Sequence, residues 1–306
     1  MQVILNRLPF IHITPSWPAG HEIIVTEIRL PRVIMAGIVG AALGTSGATY
    51  QGLFRNPMAD PYLLGVAQGA TLGAVVGFLL PASGLLLGVG LVPLFAFAGA
   101  LLSTAAVYGL ARVGKSIPVT TLILAGVALG ALLNSIASYL IISSGDKLRS
   151  IVFWWMGSFS VSQWTDVKMV LPYVLVGTTI ILLYARPLNV MQLDEEQAQQ
   201  LGVNVERTKL VLLAAATLIT AAAVAFVGTI GFVGIIIPHA VRLIWGADHR
   251  FLLPLSVLSG AVVLILADLI SRTVLAPQEI PVGVVTALVG APFFLYLLRK
   301  RRRVFF

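Results

Sequence analysis

The chain contains no cysteine and little charge, and each absence excludes a class of protein. Without cysteine, neither a disulfide framework nor a thiolate metal site can form. The four histidines, at positions 12, 21, 239 and 249, are too scattered to suggest a metal site. Charged residues make up 10% of the 306 positions, against about 25% in a typical soluble domain. This deficit argues against a soluble protein.

The sequence is instead rich in long apolar runs. Hydrophobic residues make up 58% of the chain and the mean hydropathy is +0.98. Apolar runs recur at about 20 residues, the length that crosses a bilayer as a helix. The runs do not alternate as β-barrel strands do, so the sequence predicts an all-α protein that crosses the membrane many times. The net charge of +8 is then explained by cytoplasmic loops rather than by nucleic acid.

Nine spans are predicted within a single transmembrane domain at 33–298. They are 33–50, 63–80, 86–111, 119–142, 167–184, 210–227, 232–245, 252–275 and 282–298. The basic tail at 299–306 is predicted to be cytoplasmic, since Lys and Arg collect on that side of the cell membrane. Counting the nine spans back from the cytoplasmic tail places residues 1–32 on the external side. Several prolines predict that this segment is partly extended. It is not predicted to be a signal peptide.

Small residues recur at helical spacing in three of these spans. Gly65, Gly69, Gly73 and Gly77 are predicted to share one helix face, and pairs at 40 and 44 and at 126 and 130 repeat the spacing. Such faces let helix backbones approach closely. Packing within the chain is favoured over a seam between two copies.

One segment imitates a nucleotide-binding loop. Residues 109–116, GLARVGKS, match the pattern G-x-x-x-x-G-K-[ST], which needs a preceding strand and a following helix. Here the pattern straddles the end of one predicted span, and Pro118 opens the next. A nucleotide site is therefore not predicted, and Lys115 is interpreted as a cytoplasmic positive charge.

The most polar stretch is the loop at 185–209. Its run at 193–201 contains helix-forming residues and stops at Gly202, which predicts short cytoplasmic helices. From composition alone, a solvated connector and a docking surface for a soluble partner both remain open.

Polar side chains inside two predicted spans leave further alternatives open. Asp268 and Arg272 are four residues apart, which fits an ion pair along one helix, a proton relay or an external docking arginine. Residues 228–242 contain three glycines, Pro238 and His239, which predict a broken helix packed in protein or lining a cavity. A structural role for His239 is favoured over contact with a substrate.

Seven segments, in order, resemble one family. They are RLPR (29–32), SGATYQGLFRNPMADPYLLG (46–65), LAGVALG (124–130), GFVGIIIPHAVR (231–242), DHRFLLP (248–254), ADLISR (267–272) and EIPVGVVTALVGAPFFLYLL (279–298). They cover nearly the whole chain and resemble the FecCD or BtuC-type permeases of ABC importers for iron–siderophore complexes, haem and vitamin B12. The family usually has a further span before residue 29. Three alternatives remain open here: that span is absent, the start codon is assigned too late, or residues 4–17 are a distorted remnant of it.

The resemblance implies a transport subunit with no catalytic residue, cofactor or metal of its own, working as a homodimer around a central path. Two ATPase subunits, which would hold ATP and Mg²⁺, are expected to dock on Leu193, Asp194, Glu195, Glu196, Gln200, Leu201 and Gly202. An external binding protein would deliver a metal chelate or corrinoid and dock on Arg29, Arg32 and Arg272. A cytoplasmic gate is implied at Val119 and Thr120. Signature residues expected to shape the fold are Arg55, Asn56, Pro57, Gly231, Gly234, Pro238, His239 and Arg242.

The alternative function is a secondary transporter driven by protons through Asp268 or His239. It predicts inverted repeats, which are not evident in the sequence.

Overall fold

The computed structural model describes residues 18–301, except 82–84, 87–88 and 115, and these residues form a helical bundle. The helices are α1 (Ala19–Ile23), α2 (Leu30–Leu53), α3 (Val66–Leu79), α4 (Leu91–Ala111), α5 (Val119–Ile142), α6 (Leu148–Trp155), α7 (Trp164–Leu183), α8 (Ala185–Val190), α9 (Glu195–Gln200), α10 (Val205–Val227), α11 (Val233–Trp245), α12 (His249–Thr273) and α13 (Val282–Arg301). Short 3-10 helices lie at Pro61–Leu64 and Gly145–Lys147, and an antiparallel hairpin of β1 (Leu85–Leu86) and β2 (Val89–Gly90) precedes α4.

Five of the described helices are long and apolar enough to cross a membrane: α4, α5, α7, α10 and α12. Helices α3 and α11 and the segment Val282–Tyr296 of α13 are apolar but shorter. The prediction of an all-α, multi-pass protein is confirmed, whereas the count of nine spans stays a prediction. The orientation of the two chain ends also stays a prediction. Residues 302–306 of the basic tail lie outside the described part of the chain.

The chain before residue 33 differs from its prediction. Helix α1 begins at Ala19 and continues through a π-helical turn at Ile24–Arg29 into α2. The prediction of a partly extended segment is therefore wrong for residues 19–32. Residues 1–17 lie outside the described range. Pro31 lies directly after the π-helical turn, at the second residue of α2.

Helix α6, between α5 and α7, is an element that the sequence did not predict. Its eight residues are too few for a span. The chain that follows α6 bonds into the bundle, since the Ser158 N–H donates to the Val227 carbonyl and the Gly283 N–H donates to the Met156 carbonyl. The chain between α5 and α7 therefore turns back into the protein.

The core is arranged around α10. Within its most apolar stretch 72% of the residues are buried, against 17% for α5. Helix α10 packs on α2, α4 and α7, and its many alanines, at 214–216 and 221–223, let these neighbours come close. Helix α5 therefore leaves most of its surface uncovered by its own chain.

Glycines bring pairs of helices into backbone contact. A Cβ on Gly69 would overlap the Gly99 carbonyl of α4, and one on Gly40 would overlap the Gly260 carbonyl of α12. Packing within the chain is thus confirmed for these positions. Gly65 does not share the predicted face, because it precedes α3 with a φ of 74° that caps the 3-10 helix.

Candidate functional site

The loop at 185–209 folds as the two short helices α8 and α9 and the first turn of α10, which confirms the predicted short helices. Of the residues expected to meet an ATPase subunit, all except the half-buried Glu195 are exposed. The apolar side chains of Leu193 and Leu201 are 44% and 63% exposed. Gly202 ends α9 with a φ of 83°, a value that favours glycine. The segment therefore presents an accessible surface of mixed polarity.

Helix α8 is held to the beginning of α12 by Asn189. The Asn189 Nδ2 donates to Asp248 Oδ1 at 2.7 Å, and its Oδ1 accepts from the His249 backbone N–H at 2.8 Å. The buried His249 ring also meets Asn189, with Nδ1 at 2.7 Å from the same oxygen. Hydrogen bonds from Arg250, and then from Asn189, hold the pKa of the Asp248 carboxyl below its usual range. Sequence reasoning missed this junction, although an Asp before a helix is a recognisable N-cap.

Helix α9 is tied to the end of α2 by Arg55. This residue adopts a φ of 48°, and its guanidinium donates to the Leu193 carbonyl at 3.0 Å and to Asp194 at 3.3 Å. Asn56 shapes the following turn, because its side-chain oxygen accepts from the Met58 N–H. The predicted signature at 55–57 is therefore in contact with the predicted ATPase-docking surface.

A buried lysine lies beneath the same surface. Lys209 is 5% exposed, and its Nζ lies 2.9 Å from Glu195 and 3.2 Å from Glu206. The same ammonium donates to the Ile117 carbonyl at 3.4 Å. In the sequence, Lys209 is only one of several charged residues of the loop, and its burial is not predicted.

A second ionic cluster lies on the predicted external side. The Arg32 guanidinium donates to Asp268 at 2.7 Å through Nη2 and to Glu279 at 2.8 Å through Nη1. Arg272 lies 3.8 Å from Asp268, so the predicted ion pair along α12 is present but long. Arg29 is exposed and the Arg272 side chain is 22% exposed.

Arg32 needs a correction, because its predicted role requires a guanidinium that a partner can reach. Only 8% of Arg32 is exposed, and two carboxylates already accept its hydrogen bonds. In this structure Arg32 fixes α2 to α12 and does not present a docking charge. Asp268 is equally committed, which removes the main support for a proton relay at this position.

The segment at 228–242 contains the predicted break in the helix, and this break is packed inside the protein. Gly228 and Phe232 have φ values of 77° and 69°, and α11 starts after them. A Cβ on Gly234 would lie 2.7 Å from the Pro61 ring, so a glycine is required there. Gly231 has open space where a Cβ would lie and is not sterically required.

The remaining signature side chains of this segment lie along α11. Pro238 and His239 are buried and Arg242 is half-buried. The burial of His239 fits the structural role that the sequence favours for it. The segment therefore contributes packing rather than an open surface.

The predicted gate lies at the beginning of α5. Pro118 caps the helix, Val119 is half-buried and Thr120 is exposed. Further along α5, polar side chains at Asn134, Ser135 and Ser138 are not buried either, within a helix that is otherwise strongly apolar. The gate residues therefore lie on a helix whose uncovered surface is mainly apolar but includes these three polar residues towards its other end.

The loop that imitates a nucleotide site has the wrong structure for one. Val113 and Ser116 pair as an isolated β-bridge between α4 and α5, whereas a phosphate loop connects a strand to a helix. Lys115 lies outside the described residues. Over the described part of the chain, no cluster of His, Asp and Glu could hold a metal ion.

Comparisons with known proteins agree on one family. The model of the FecCD transport family matches residues 8–300. The cobalamin import system permease protein BtuC of Halobacterium salinarum is 50% identical over 93% of this chain and 75% of its own length. The hemin transport system permease protein HmuU of Yersinia pestis is 43% identical over 90% of this chain and 83% of its own. A solved structure described as a metal-chelate type ABC transporter in an inward-facing conformation matches with a TM-score of 0.85 and 34% identity, covering 97% of this chain and 94% of that one.

Proposed function

The chain belongs to the FecCD transport family and is a permease subunit of an ABC importer, and we propose that two copies enclose the path of a metal chelate or corrinoid. The homodimer, its ATPase and binding-protein partners and the cargo are parts of this proposal. ATP hydrolysis is assigned to the partner ATPase, and this chain supplies the path, the gate and the docking surfaces.

The observation that carries the proposal is the uncovered face of α5. This helix is apolar enough to span the membrane, yet Asn134, Ser135 and Ser138 lie on its accessible surface. Polar side chains in a membrane usually face a bundle interior or a water-filled cavity rather than lipid. A second copy placed against α5 would enclose these residues beside a wet path, with Thr120 at one end as part of the gate.

The surfaces proposed to bind the ATPase and the binding protein are those where the residues concerned are exposed. On the predicted cytoplasmic side, α8 and α9 offer the ATPase subunit an accessible surface that is anchored to α2 and α12. On the predicted external side, Arg29 and Arg272 offer positive charge to acidic side chains of a binding protein. Arg32 supports this docking surface by fixing the ends of α2 and α12.

Cobalamin is the first cargo to test. One relative named for cobalamin import is 50% identical to this chain, a relative named for hemin transport is 43% identical, and a relative named for vitamin B12 import is 42% identical. All three are matched over nine-tenths or more of this chain. Cargo selection in such an importer is expected to depend strongly on the binding protein, so the two cargoes need a direct comparison.

The test is reconstitution of the chain in proteoliposomes with its ATPase subunit and binding protein. Uptake of cyanocobalamin is expected only when ATP, ATPase and binding protein are all present, and haem serves as the competing cargo. Uptake of haem alone would change the cargo but keep the importer. Uptake that persists without the ATPase, or that follows a proton gradient, would show the secondary-transporter alternative to be right.

A further inference from the structure

We propose that Lys209 couples the ATPase-docking helix α9 to the cytoplasmic gate, acting as a positioning residue for both. The proposal rests on the proposed function, because it assumes that an ATPase moves α9 and that Val119 and Thr120 form the gate. It adds the connection between them, which neither the sequence nor the family match assigns.

The Lys209 ammonium contacts three oxygens, which belong to three different segments: it forms an ion pair with Glu195 and donates hydrogen bonds to Glu206 and Ile117. Glu195 is the first residue of α9, Glu206 lies in the first turn of α10, and Ile117 belongs to the connection between α4 and α5. The distances from Nζ are 2.9, 3.2 and 3.4 Å, respectively. One side chain thus bridges the docking surface, the central helix of the core and the segment before the gate.

The acceptor at Ile117 lies directly next to the gate. Ile117 is 4% exposed and packs in the main hydrophobic core. It is followed by Pro118, the cap of α5, and then by Val119. A displacement of the Ile117 carbonyl is therefore transmitted to the first turn of α5 through two peptide units, one of which has its φ fixed by the proline ring.

Burial makes the bridge stiff. The Lys209 side chain is 6% exposed, although Glu195 on the other side of the ion pair is 42% exposed. Leaving a buried charge without its partner is unfavourable. When α9 moves, Glu195 must therefore carry the ammonium with it or break an ion pair whose lysine is buried. If the ammonium moves, the contact with Ile117, which is the longest of the three, must change.

The other ties of the docking surface lead elsewhere. Arg55 joins α9 to the end of α2, and its ion pair with Asp194 is exposed by 39% and 82% on its two sides, where such pairs contribute little. Asn189 joins α8 to the beginning of α12. Of these three ties, the one through Lys209 reaches the connection before α5.

The absence of cysteine allows the gate to be observed directly. In the variant Thr120→Cys, the engineered thiol is unique in the chain, and its cross-linking by a bis-maleimide reports the distance between the two copies at the gate. The measurement uses the assembled permease–ATPase complex with and without Mg²⁺-ATP. We expect ATP to change the cross-linking yield about tenfold, within the usual range for coupled sites.

The decisive variants are Lys209→Met and Lys209→Gln in the Thr120→Cys background, because Lys209 lies beneath the docking surface and is not one of its docking residues. Both complexes are expected to hydrolyse ATP while the cross-linking yield responds to ATP by less than about twofold, because the coupling free energy is lost. Lys209→Arg, which keeps the charge and several donors, is expected to retain the response. Lys168→Met is the matched control, since it removes an exposed lysine of α7 at a distance from α9.

Two outcomes separate the coupling proposal from the function beneath it. If a Lys209→Met or Lys209→Gln complex hydrolyses ATP and its gate still responds like the parent, the coupling role is wrong, whereas the proposed importer function is unaffected. If Lys209→Met does not assemble, Lys209→Gln decides, because it removes the charge but keeps a polar side chain that can donate hydrogen bonds. If the parent complex shows no ATP-dependent cross-linking between copies, the proposed dimer and gate are wrong instead.

Discussion

The guanidinium of Arg32 and the carboxylate of Asp268 form a buried ion pair, 2.7 Å between Nη2 and Oδ1, across 236 positions of the chain. Both side chains are nearly inaccessible, and Glu279 completes the set on the other edge of the guanidinium. Arg29, three residues earlier on the same continuous helix, is exposed. Two arginines of one motif therefore have different tasks: one joins helices and the other is available to a partner.

The first prediction separates these two arginines. Asp268→Asn is expected to lower the free energy of unfolding by about 1–3 kcal/mol, since it removes the buried carboxylate partner of Arg32 while Glu279 still accepts from the same guanidinium. Thermal unfolding in detergent, followed by size-exclusion chromatography, measures the change. Arg29→Gln should leave the unfolding temperature unaltered and weaken only the binding of the binding protein. Equal melting temperatures for the parent and both variants would contradict the structural role of Arg32.

The second prediction concerns the contact between α2 and α11. A Cβ on Gly47 would overlap the Gly234 carbonyl, so Gly47→Ala must push two backbones apart and is expected to destabilise by at least about 1–3 kcal/mol. Gly109 lies on α4 with open space around it. Gly109→Ala is the matched control and should stabilise by up to about 1 kcal/mol, the helix-propensity difference. If the two substitutions gave the same melting shift, this close approach would not be real.

The third prediction tests the anchor of α8. Asn189→Ala removes the acceptor of the His249 N–H and a donor to the Asp248 carboxylate, and leaving the partners of such part-buried hydrogen bonds unsatisfied costs about 1–3 kcal/mol. The ATPase subunit is expected to copurify about tenfold less well, since that corresponds to about 1.4 kcal/mol of binding free energy. Arg55→Ala serves for comparison and should have the smaller effect, because its ion pair is exposed. A larger effect of Arg55→Ala would reverse the assigned importance of the two ties.

The fourth prediction concerns water beside α5. With no cysteine in the chain, single thiols can be placed at Asn134 and at Leu102, whose side chain on α4 is 70% exposed. Asn134→Cys is expected to react with a hydrophilic maleimide in intact proteoliposomes. Leu102→Cys should stay inert, because an apolar surrounding raises the pKa of a thiol and suppresses its reactive form. Equal labelling of both thiols would argue against a wet path along α5.

Much of the fold could be predicted from apolar periodicity. Helix α5 has the predicted bounds, and α11 starts one residue after its predicted start. The errors come from short elements. Helix α6 is not long enough to give a hydropathy signal. The helix that begins at Ala19 was not predicted because the prolines at 9, 15 and 18, just before it, favour extended chain.

The candidate site was predictable only as a set of positions. The exposed residues of α9 follow from the polar composition of the loop and from the family resemblance. The partners of Arg32 and Lys209 do not, since they include Asp268 and Ile117, far away in sequence. A sequence gives the sign of a charge, whereas its burial and its acceptors depend on which helices meet.

The contrast between α10 and α5 has a consequence for how one subunit can work in two states. Helix α10, with 72% of its apolar stretch buried, cannot shift without disturbing neighbours on several sides, and it serves as a fixed frame of reference. Helix α5, at 17%, can move against lipid, water or, in the proposed dimer, the second copy with little loss of contact within its own chain. Two arrangements that differ mainly in α5 would therefore lie close in free energy, and a modest input at α9 would be enough to change their populations.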